Sequence, residues 1–271
     1  MMRRFILSLL IAASGCAPAS PKEKPAIRVA VVAAMLTAGV WQEMVKPFES
    51  DTGYKIKVTA AGNRQVLDEA FRKGDADFIT MHGGEEADRL VTEGYATGSM
   101  PWTLNELVII GPNDDPAHIK GMTDGAAALR KIADARAPYV DFNDNGSRQV
   151  AGKLWKKTGV SPQGDWVIKD ESEPKQIIEF AREKHAYVII GHMSAAKKKS
   201  EGIDVMVRGD PQMRRSFVVM IATAKRFPEA NVIGARALAD YLTSAKGQQR
   251  LREIAAKQPD VAPVFYPVSQ E

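Results

Sequence analysis

Short β-branched runs alternate along this chain with segments of helical periodicity, and several of those segments stop at a glycine. The alternation predicts strands at 27–33, 55–60, 77–82 and 104–111, with helices at 39–51, 65–73 and 85–92 between them. Gly53, Gly74 and Gly94 stand where these helices would end, a common position for a left-handed residue. Strands separated by helices of this length predict parallel pairing through crossover connections, and therefore an α/β fold.

A second α/β series follows, with strands predicted at 139–142, 166–169 and 186–191 and helices at 147–157, 174–183 and from His192 onward. Strands at 204–208 and 216–223 come next, before a helical C-terminus at 229–257. One side of that C-terminal part is expected to be buried through Ile233, Leu238, Leu242, Leu251 and Ile254.

Two α/β series and a late return segment predict two lobes. Lobe 1 would consist of residues 26–110 and 216–271, and lobe 2, residues 111–215, would be inserted into it. In such folds the carboxyl ends of parallel strands and the starts of the next helices line a crevice. We therefore expect a two-lobed monomer with a ligand cleft between the lobes.

The first residues predict export. Arg3 and Arg4 precede an apolar run at 5–13, and Cys16 follows as the only cysteine of the chain. This pattern predicts a lipoprotein signal peptide at 1–16, with lipid on Cys16, and a polar tether at 17–25. The alternative is an ordinary cleavable signal with a chance cysteine. Either way the protein would be periplasmic or at the cell surface, and on the first interpretation it would be anchored to the membrane.

Composition disfavours several functional classes. The formal net charge is +4, and the dense basic clusters at 197–199 and at Arg214 and Arg215 lack interleaved aromatic residues, so we interpret them as solvated surface with no nucleic-acid partner. The sequence has no P-loop and no dinucleotide fingerprint, and neither serine nor cysteine has a credible set of catalytic partners. We therefore expect a protein that is not an enzyme and carries no cofactor.

Several stretches, in order along the mature chain, match one family. They are GDAD at 74–77, VTEGY at 91–95, NELVIIGP at 105–112, GDW at 164–166 and YLTS at 241–244. The chain thereby resembles the tungstate/molybdate-type solute-binding proteins of ABC transporters. The resemblance implies a type II periplasmic binding protein fold, a small oxyanion held between two lobes, and a membrane permease as partner.

Two stretches depart from the family pattern. Its members carry a threonine- and serine-rich loop after the first strand, where residues 33–39 read AAMLTAG and only Thr37 retains a hydroxyl. They also carry an arginine before the second-lobe helix, where Phe142 and Asn143 stand here. The alternative function is a ligand-sensing or accessory lipoprotein that uses the same fold to bind a different organic ligand or a metal.

The candidate ligand residues follow predicted strands. Arg64 begins a helix, where its guanidinium would suit an anion, and His82 precedes two glycines that leave backbone N–H groups free. A polar corner starts the helix after 139–142, with Asn145 or Ser147 as its N-cap. The full set is Thr37, Arg64, His82, Asn143, Asn145, Ser147, Arg148 and His192, with Met35 and Leu36 as apolar groups facing the cleft.

His82 and His192 would approach one another if the lobes closed. With Met35 or Met193 they would suit a soft transition metal. The sequence shows no regular spacing of metal ligands, however, so no metal site is predicted.

Overall fold

The computed structural model describes residues 24–171, 176–197, 201–257 and 265–268. The predicted signal peptide, Cys16 and most of the tether lie outside these residues. Within the described ranges, no helix combines the length and the hydropathy needed to cross a bilayer.

Strands and helices alternate as the sequence predicts. The strands are β1 (Ile27–Val32), β2 (Ile56–Gly62), β3 (Phe78–His82), β4 (Ala96–Pro112), β5 (Tyr139–Asp141), β6 (Val167–Lys169), β7 (Tyr187–Gly191), β8 (Ile203–Val207), β9 (Arg214–Ala222) and β10 (Phe265–Pro267). The helices are α1 (Ala33–Thr37), α2 (Val40–Thr52), α3 (Arg64–Lys73), α4 (Glu85–Thr92), α5 (Gly125–Asp134), α6 (Asn145–Thr158), α7 (Ile177–Glu183), α8 (His192–Lys197), α9 (Val232–Thr243) and α10 (Ala245–Ala256).

Two sets of strands share β4. Sheet 1 runs β2-β1-β3-β9-β4, with β10 on the far side of β4, and sheet 2 runs β4-β7-β5-β6, with β8 also on β4. The pairs of β1 with β2 and β3, and of β5 with β6 and β7, are parallel. The sequence placed β4 among the parallel strands, but it runs antiparallel to both β9 and β7.

Each sheet carries apolar clusters on both faces. Neighbouring residues of one strand point to opposite faces, so Leu107 and Ile109 pack with α5 and α6 while Val108 and Ile110 pack with α7. In sheet 1, Val29 and Val31 belong to the cluster under α2, α9 and α10, and Ala30 to the cluster under α3 and α4. Two layered α/β/α units result, as expected for a two-lobed fold.

Most predicted helix ends are confirmed. Gly53 and Gly74 close α2 and α3 with φ of 73° and 80°, and Gly94 follows α4 with φ of 77°. The predicted helix at 229–257 is two helices, because Ser244 ends α9 and also caps α10 through Oγ, which accepts from Gly247 N at 3.1 Å. The prediction that Ile233 is buried was wrong, because its position near the start of α9 leaves it 80% exposed.

Glu106 stands where β4 passes from sheet 1 to sheet 2. Its side chain is fully buried; it accepts hydrogen bonds from Gly209 N and, at 2.8 Å, from the Tyr266 hydroxyl. His192 Nδ1 lies 3.3 Å from Glu106 Oε2, without regular hydrogen-bond geometry. Burial acts to raise the pKa of Glu106, but these contacts outweigh it and hold that pKa below its usual range. One carboxylate thus joins β4, the chain returning from sheet 2, and the C-terminal strand.

Candidate functional site

His82 is the last residue of β3 and lies at the carboxyl end of that central strand of sheet 1. The next residue is fixed to the neighbouring strand, because Gly83 N donates to Ser216 O at 3.0 Å. Gly84 then turns the chain into α4 with φ of 131°, a conformation that favours glycine. The sequence-based expectation of a polar strand end before a helix is therefore met at His82.

Arg215, at the start of β9, reaches from sheet 1 to the start of α6. Its Nη2 lies 3.2 Å from His82 Nε2, and a Cβ atom on Gly146 would fall 1.4 Å from its Nη1. Its Nε is buried and has no hydrogen-bond partner among the described residues. The interpretation of Arg214 and Arg215 as solvated surface was wrong: both are partly buried, and Arg214 lies over the Tyr266 ring at 4.0 Å.

Arg64 is a second cation near Arg215 and His82. As the first residue of α3, behind the N-cap Asn63, it pairs through Nη1 with Glu86 Oε1 at 2.8 Å. Burial first, and then the charge of Arg64, lower the pKa of Arg215, while Asp144 acts in the opposite direction. The charge of the Arg64 guanidinium therefore acts on the Arg215 guanidinium at the carboxyl end of the parallel strands.

His82 is uncharged in this surrounding. Burial, followed by the charges of Arg215 and Arg64, lowers the pKa of His82 to about 3. Phe217, fully buried, lies against the imidazole with 4.0 Å between ring centroids. The proposed soft-metal interpretation loses support here, because Nε2 already faces a cation, and no group of three or more His, Cys, Asp or Glu suited to a metal occurs in the described ranges.

The N-cap of α6 is not one of the two predicted residues. Asp144, not Asn145 or Ser147, is the N-cap, and its Oδ2 accepts from Ser147 N at 2.8 Å. Ser147 is 2% exposed and Gly146 is buried, so the first turn of α6 packs closely against Arg215. Asn145 is exposed.

The remaining polar candidate of this helix turns outward. Arg148 is exposed and donates to Asn143 Oδ1 at 2.8 Å, and its Nη2 lies 3.3 Å from Asp141 Oδ2. Asn143 N in turn donates to Asp170 Oδ2 at 2.9 Å. These residues form a hydrogen-bonded group beside the α6 start.

The segment after β1 is helical, where a loop was expected. In α1 the Thr37 hydroxyl donates to Ala33 O at 2.8 Å. Met35 was expected to face the cleft, but it is fully buried in the core of sheet 1, and Leu36 is partly buried against the same cluster. The expectation fails for Met35 because a helical turn directs its side chain back onto α2 and β1.

His192 belongs to the junction around Glu106. It is 4% exposed at the start of α8. The structure therefore brings Arg64, His82 and the α6 start together with Arg215, whereas Thr37, the Asn143–Arg148 pair and His192 each have partners elsewhere.

This arrangement of charges favours an anion. The first N–H groups of a helix carry partial positive charge, so a guanidinium at that end is electrostatically unfavourable by itself. Arg215 forms no ion pair within 4.0 Å among the described residues, and Arg64 adds a second positive charge. A small anion between the guanidinium groups and the α6 start would offset all three contributions.

The sequence profile of the family described as bacterial extracellular solute-binding proteins matches residues 27–253. The tungstate-binding protein TupA of Peptoclostridium acidaminophilum is 26% identical over 97% of this chain and 95% of its own length. A putative ABC transporter anion-binding protein of Haloferax volcanii is 26% identical over 85% of this chain and 69% of its own length.

Among solved structures, the tungstate-binding protein TupA of Desulfovibrio alaskensis G20 matches with a TM-score of 0.76 and 23% identity, covering 91% of this chain and 100% of that one. At this level of identity the match bears on the fold. It confirms the predicted two-lobed periplasmic binding protein architecture.

Proposed function

The chain belongs to the family of bacterial extracellular solute-binding proteins, and from that membership we propose that it captures a small oxyanion between its lobes and delivers it to the permease of an ABC-type uptake system. The relatives named as tungstate-binding and anion-binding support the ligand class. The proposed cleft lies between lobe 1 (26–110 and 216–271) and lobe 2 (111–215). The process is one of binding without turnover.

The observation that carries this proposal is the position of Arg215. A partly buried guanidinium with an unpartnered Nε lies against the first turn of α6. A buried N–H group without an acceptor costs about 1–3 kcal/mol, and an oxyanion in contact with the Arg215 Nε–H would recover this cost. Arg64 would serve as a second cation, because its pairing with Glu86 leaves it 29% exposed and free to be shared.

Asn145 and Ser147 would complete the site from lobe 2, Asn145 with its backbone N–H and Ser147 with its hydroxyl, because the Ser147 N–H already donates to Asp144. Thr37, Asn143, Arg148 and His192 stay predictions, since each would have to leave its present partner to reach the same ligand. Although Arg215 falls at the end of the predicted lobe 2, it pairs with Asn105 in sheet 1, whereas α6 packs on sheet 2. An anion bound to Arg215 and to the α6 start would therefore bridge the two sheets and would favour their closed arrangement over an open one.

Export and anchoring are part of the same proposal. The signal peptide at 1–16 and lipid on Cys16 would hold the protein at the membrane beside its permease, with 17–25 as the tether. Palmitate labelling of cells that express the wild type and a Cys16→Ser variant tests this: label on the wild type alone is expected, and equal label on both would contradict the anchor.

Ligand class is tested by thermal unfolding with tungstate, molybdate, sulfate, phosphate and small carboxylates. A ligand at a hundredfold its dissociation constant adds about 2.7 kcal/mol, which raises Tm by several degrees. We expect at least one oxyanion to stabilise the wild type. Arg215→Met should lose that stabilisation, whereas Arg130→Met, which removes an exposed arginine of α5 paired with Asp134, should keep it. Absence of any anion effect on the wild type would overturn the proposal.

A further inference from the structure

We propose that His82 is a positioning residue for Arg215: its neutral imidazole carries its proton on Nδ1 and uses Nε2 to hold the guanidinium at the start of α6. The claim that this arrangement serves an anion rests on the proposed function. The orientation of Arg215 by His82 does not, and it is measurable without any ligand.

The tautomer follows from the chemistry of the contact. A guanidinium has only N–H donors and no acceptor, so the Arg215 Nη2 atom, 3.2 Å from His82 Nε2, must be the donor. Nε2 must then carry a lone pair and no hydrogen. In a neutral imidazole the hydrogen is consequently on Nδ1, which is the less populated tautomer in water.

The surroundings keep the imidazole neutral and fix its plane. Phe217 packs against the ring with 4.0 Å between centroids, and the two charged groups that face it are Arg215 from β9 and Arg64 from α3. Asn105, opposite Arg215 on β4, is close enough to favour the protonated ring slightly, although its buried Oδ1 forms no regular hydrogen bond. Burial and the two arginines outweigh it and lower the pKa of His82 to about 3.

A neutral acceptor has a consequence that a carboxylate would not have. An Asp or Glu at position 82 would hold the guanidinium equally well, but it would also cancel most of its charge. The imidazole fixes one N–H of Arg215 without adding a negative charge. Two carboxylates of the surroundings form their hydrogen bonds elsewhere: Asp144 caps α6 and acts on Arg215 only through its charge, and Glu86 pairs with Arg64. Arg215 is thus held in place with its charge available for an anion.

The first test is the tautomer itself. The chain has four histidines, so 15N-histidine NMR gives a spectrum that is simple to assign, with the His82 signals identified by their absence in His82→Gln. We expect His82 of the ligand-free wild type to be neutral and protonated on Nδ1 at mildly acidic pH. In Arg215→Met the proton should move largely to Nε2, and Arg130→Met should resemble the wild type. A cationic or Nε2-protonated His82 in the wild type would overturn the proposal.

The second test measures anion affinity in two variants at position 82. Glutamine can offer its Oε1 near the place of Nε2, so His82→Gln should bind the stabilising oxyanion within about threefold of the wild type. His82→Leu retains bulk without an acceptor, and its affinity should fall about tenfold or more. Equal affinity of His82→Leu and the wild type would contradict the positioning role. If the wild type binds no anion, the proposed function fails, and the tautomer still decides this inference.

Discussion

Gly146 and Arg215 are in contact between the two sheets: a Cβ atom on Gly146 would lie 1.4 Å from Arg215 Nη1. The space that the guanidinium occupies exists only because position 146 has no side chain. The atom that would be displaced is the far end of a flexible side chain, so an added methyl group would move the arginine and leave the backbone in place.

Gly146→Ala is therefore expected to displace the Arg215 guanidinium without unfolding the protein. Alanine is favoured over glycine inside a helix by about 0.5–1 kcal/mol, which supports the fold. Oxyanion affinity should fall by about tenfold or more, as in Arg215→Met. Gly152→Ala is the matched control, because it lies in the same helix with no atom within 4 Å of the new Cβ. Calorimetric titration measures both, and an unchanged affinity in Gly146→Ala would remove Arg215 from the binding site.

Asp144→Asn is expected to strengthen anion binding. Asparagine caps a helix as well as aspartate does, so the free energy of unfolding should change by about 0.5 kcal/mol or less. Removal of a negative charge near Arg215 should tighten oxyanion binding by about twofold to fivefold at low salt, an effect that salt screens. Asp124→Asn makes the same change at the N-cap of α5 and should leave affinity unchanged. Weaker binding by Asp144→Asn would contradict a ligand that is an anion held beside Arg215.

Glu106→Gln should destabilise the junction between the sheets. Both carboxylate oxygens of Glu106 accept hydrogen bonds, and glutamine has only one acceptor oxygen. One buried donor would then face an NH₂ group, which costs about 1–3 kcal/mol. Because the pKa of Glu106 is lowered in the folded protein, its contribution is complete at neutral pH and is lost as pH falls through that lowered value, below the ordinary glutamate range. Denaturant unfolding should thus show a difference between variant and wild type that shrinks in acid.

Glu69→Gln provides the control for this measurement. Glu69 forms an exposed ion pair with Lys73 in α3, and its removal should have no measurable effect on stability. A Glu106→Gln difference that is independent of pH would contradict an ionised carboxylate at the junction.

Met35→Ala should affect the free energy of unfolding and not the ligand. Met35 is fully buried in the core of sheet 1, and truncation of such a side chain costs about 2–5 kcal/mol. Leu36→Ala, at a partly buried neighbour, should cost less. Oxyanion affinity of the folded Met35→Ala protein should equal that of the wild type. A selective loss of affinity would mean that Met35 contributes to the ligand cleft after all.

Periodicity and glycine stops were sufficient to predict most of the fold. The strand at β3 and the helix α4 were predicted nearly to the residue, because a buried β-branched run and a terminal glycine are both local signals. The helix α5 and the short strand β10 were not predicted. The extent of β4 was also missed, since pairing with β9, far along the chain, determines where that strand begins.

The candidate site was only partly predictable for the same reason. Arg64 and His82 follow strands and were found from that position alone. Arg215 was interpreted as surface because its neighbour Arg214 is also basic, and nothing local indicates that His82 and Gly146 lie beside it. The available signal was the predicted strand at 216–223: Arg215 directly precedes it, at the point where the chain returns from lobe 2.

The uninterrupted length of β4 has a mechanical consequence. Its backbone pairs with β9 up to Glu106 and with β7 from Leu107, so no unpaired stretch separates the two sheets. A rotation of one sheet relative to the other would therefore twist β4 within its hydrogen-bonded pairs and not at an unpaired joint. Pairing along the whole of β4 would therefore favour one mutual orientation of the two sheets even without a ligand.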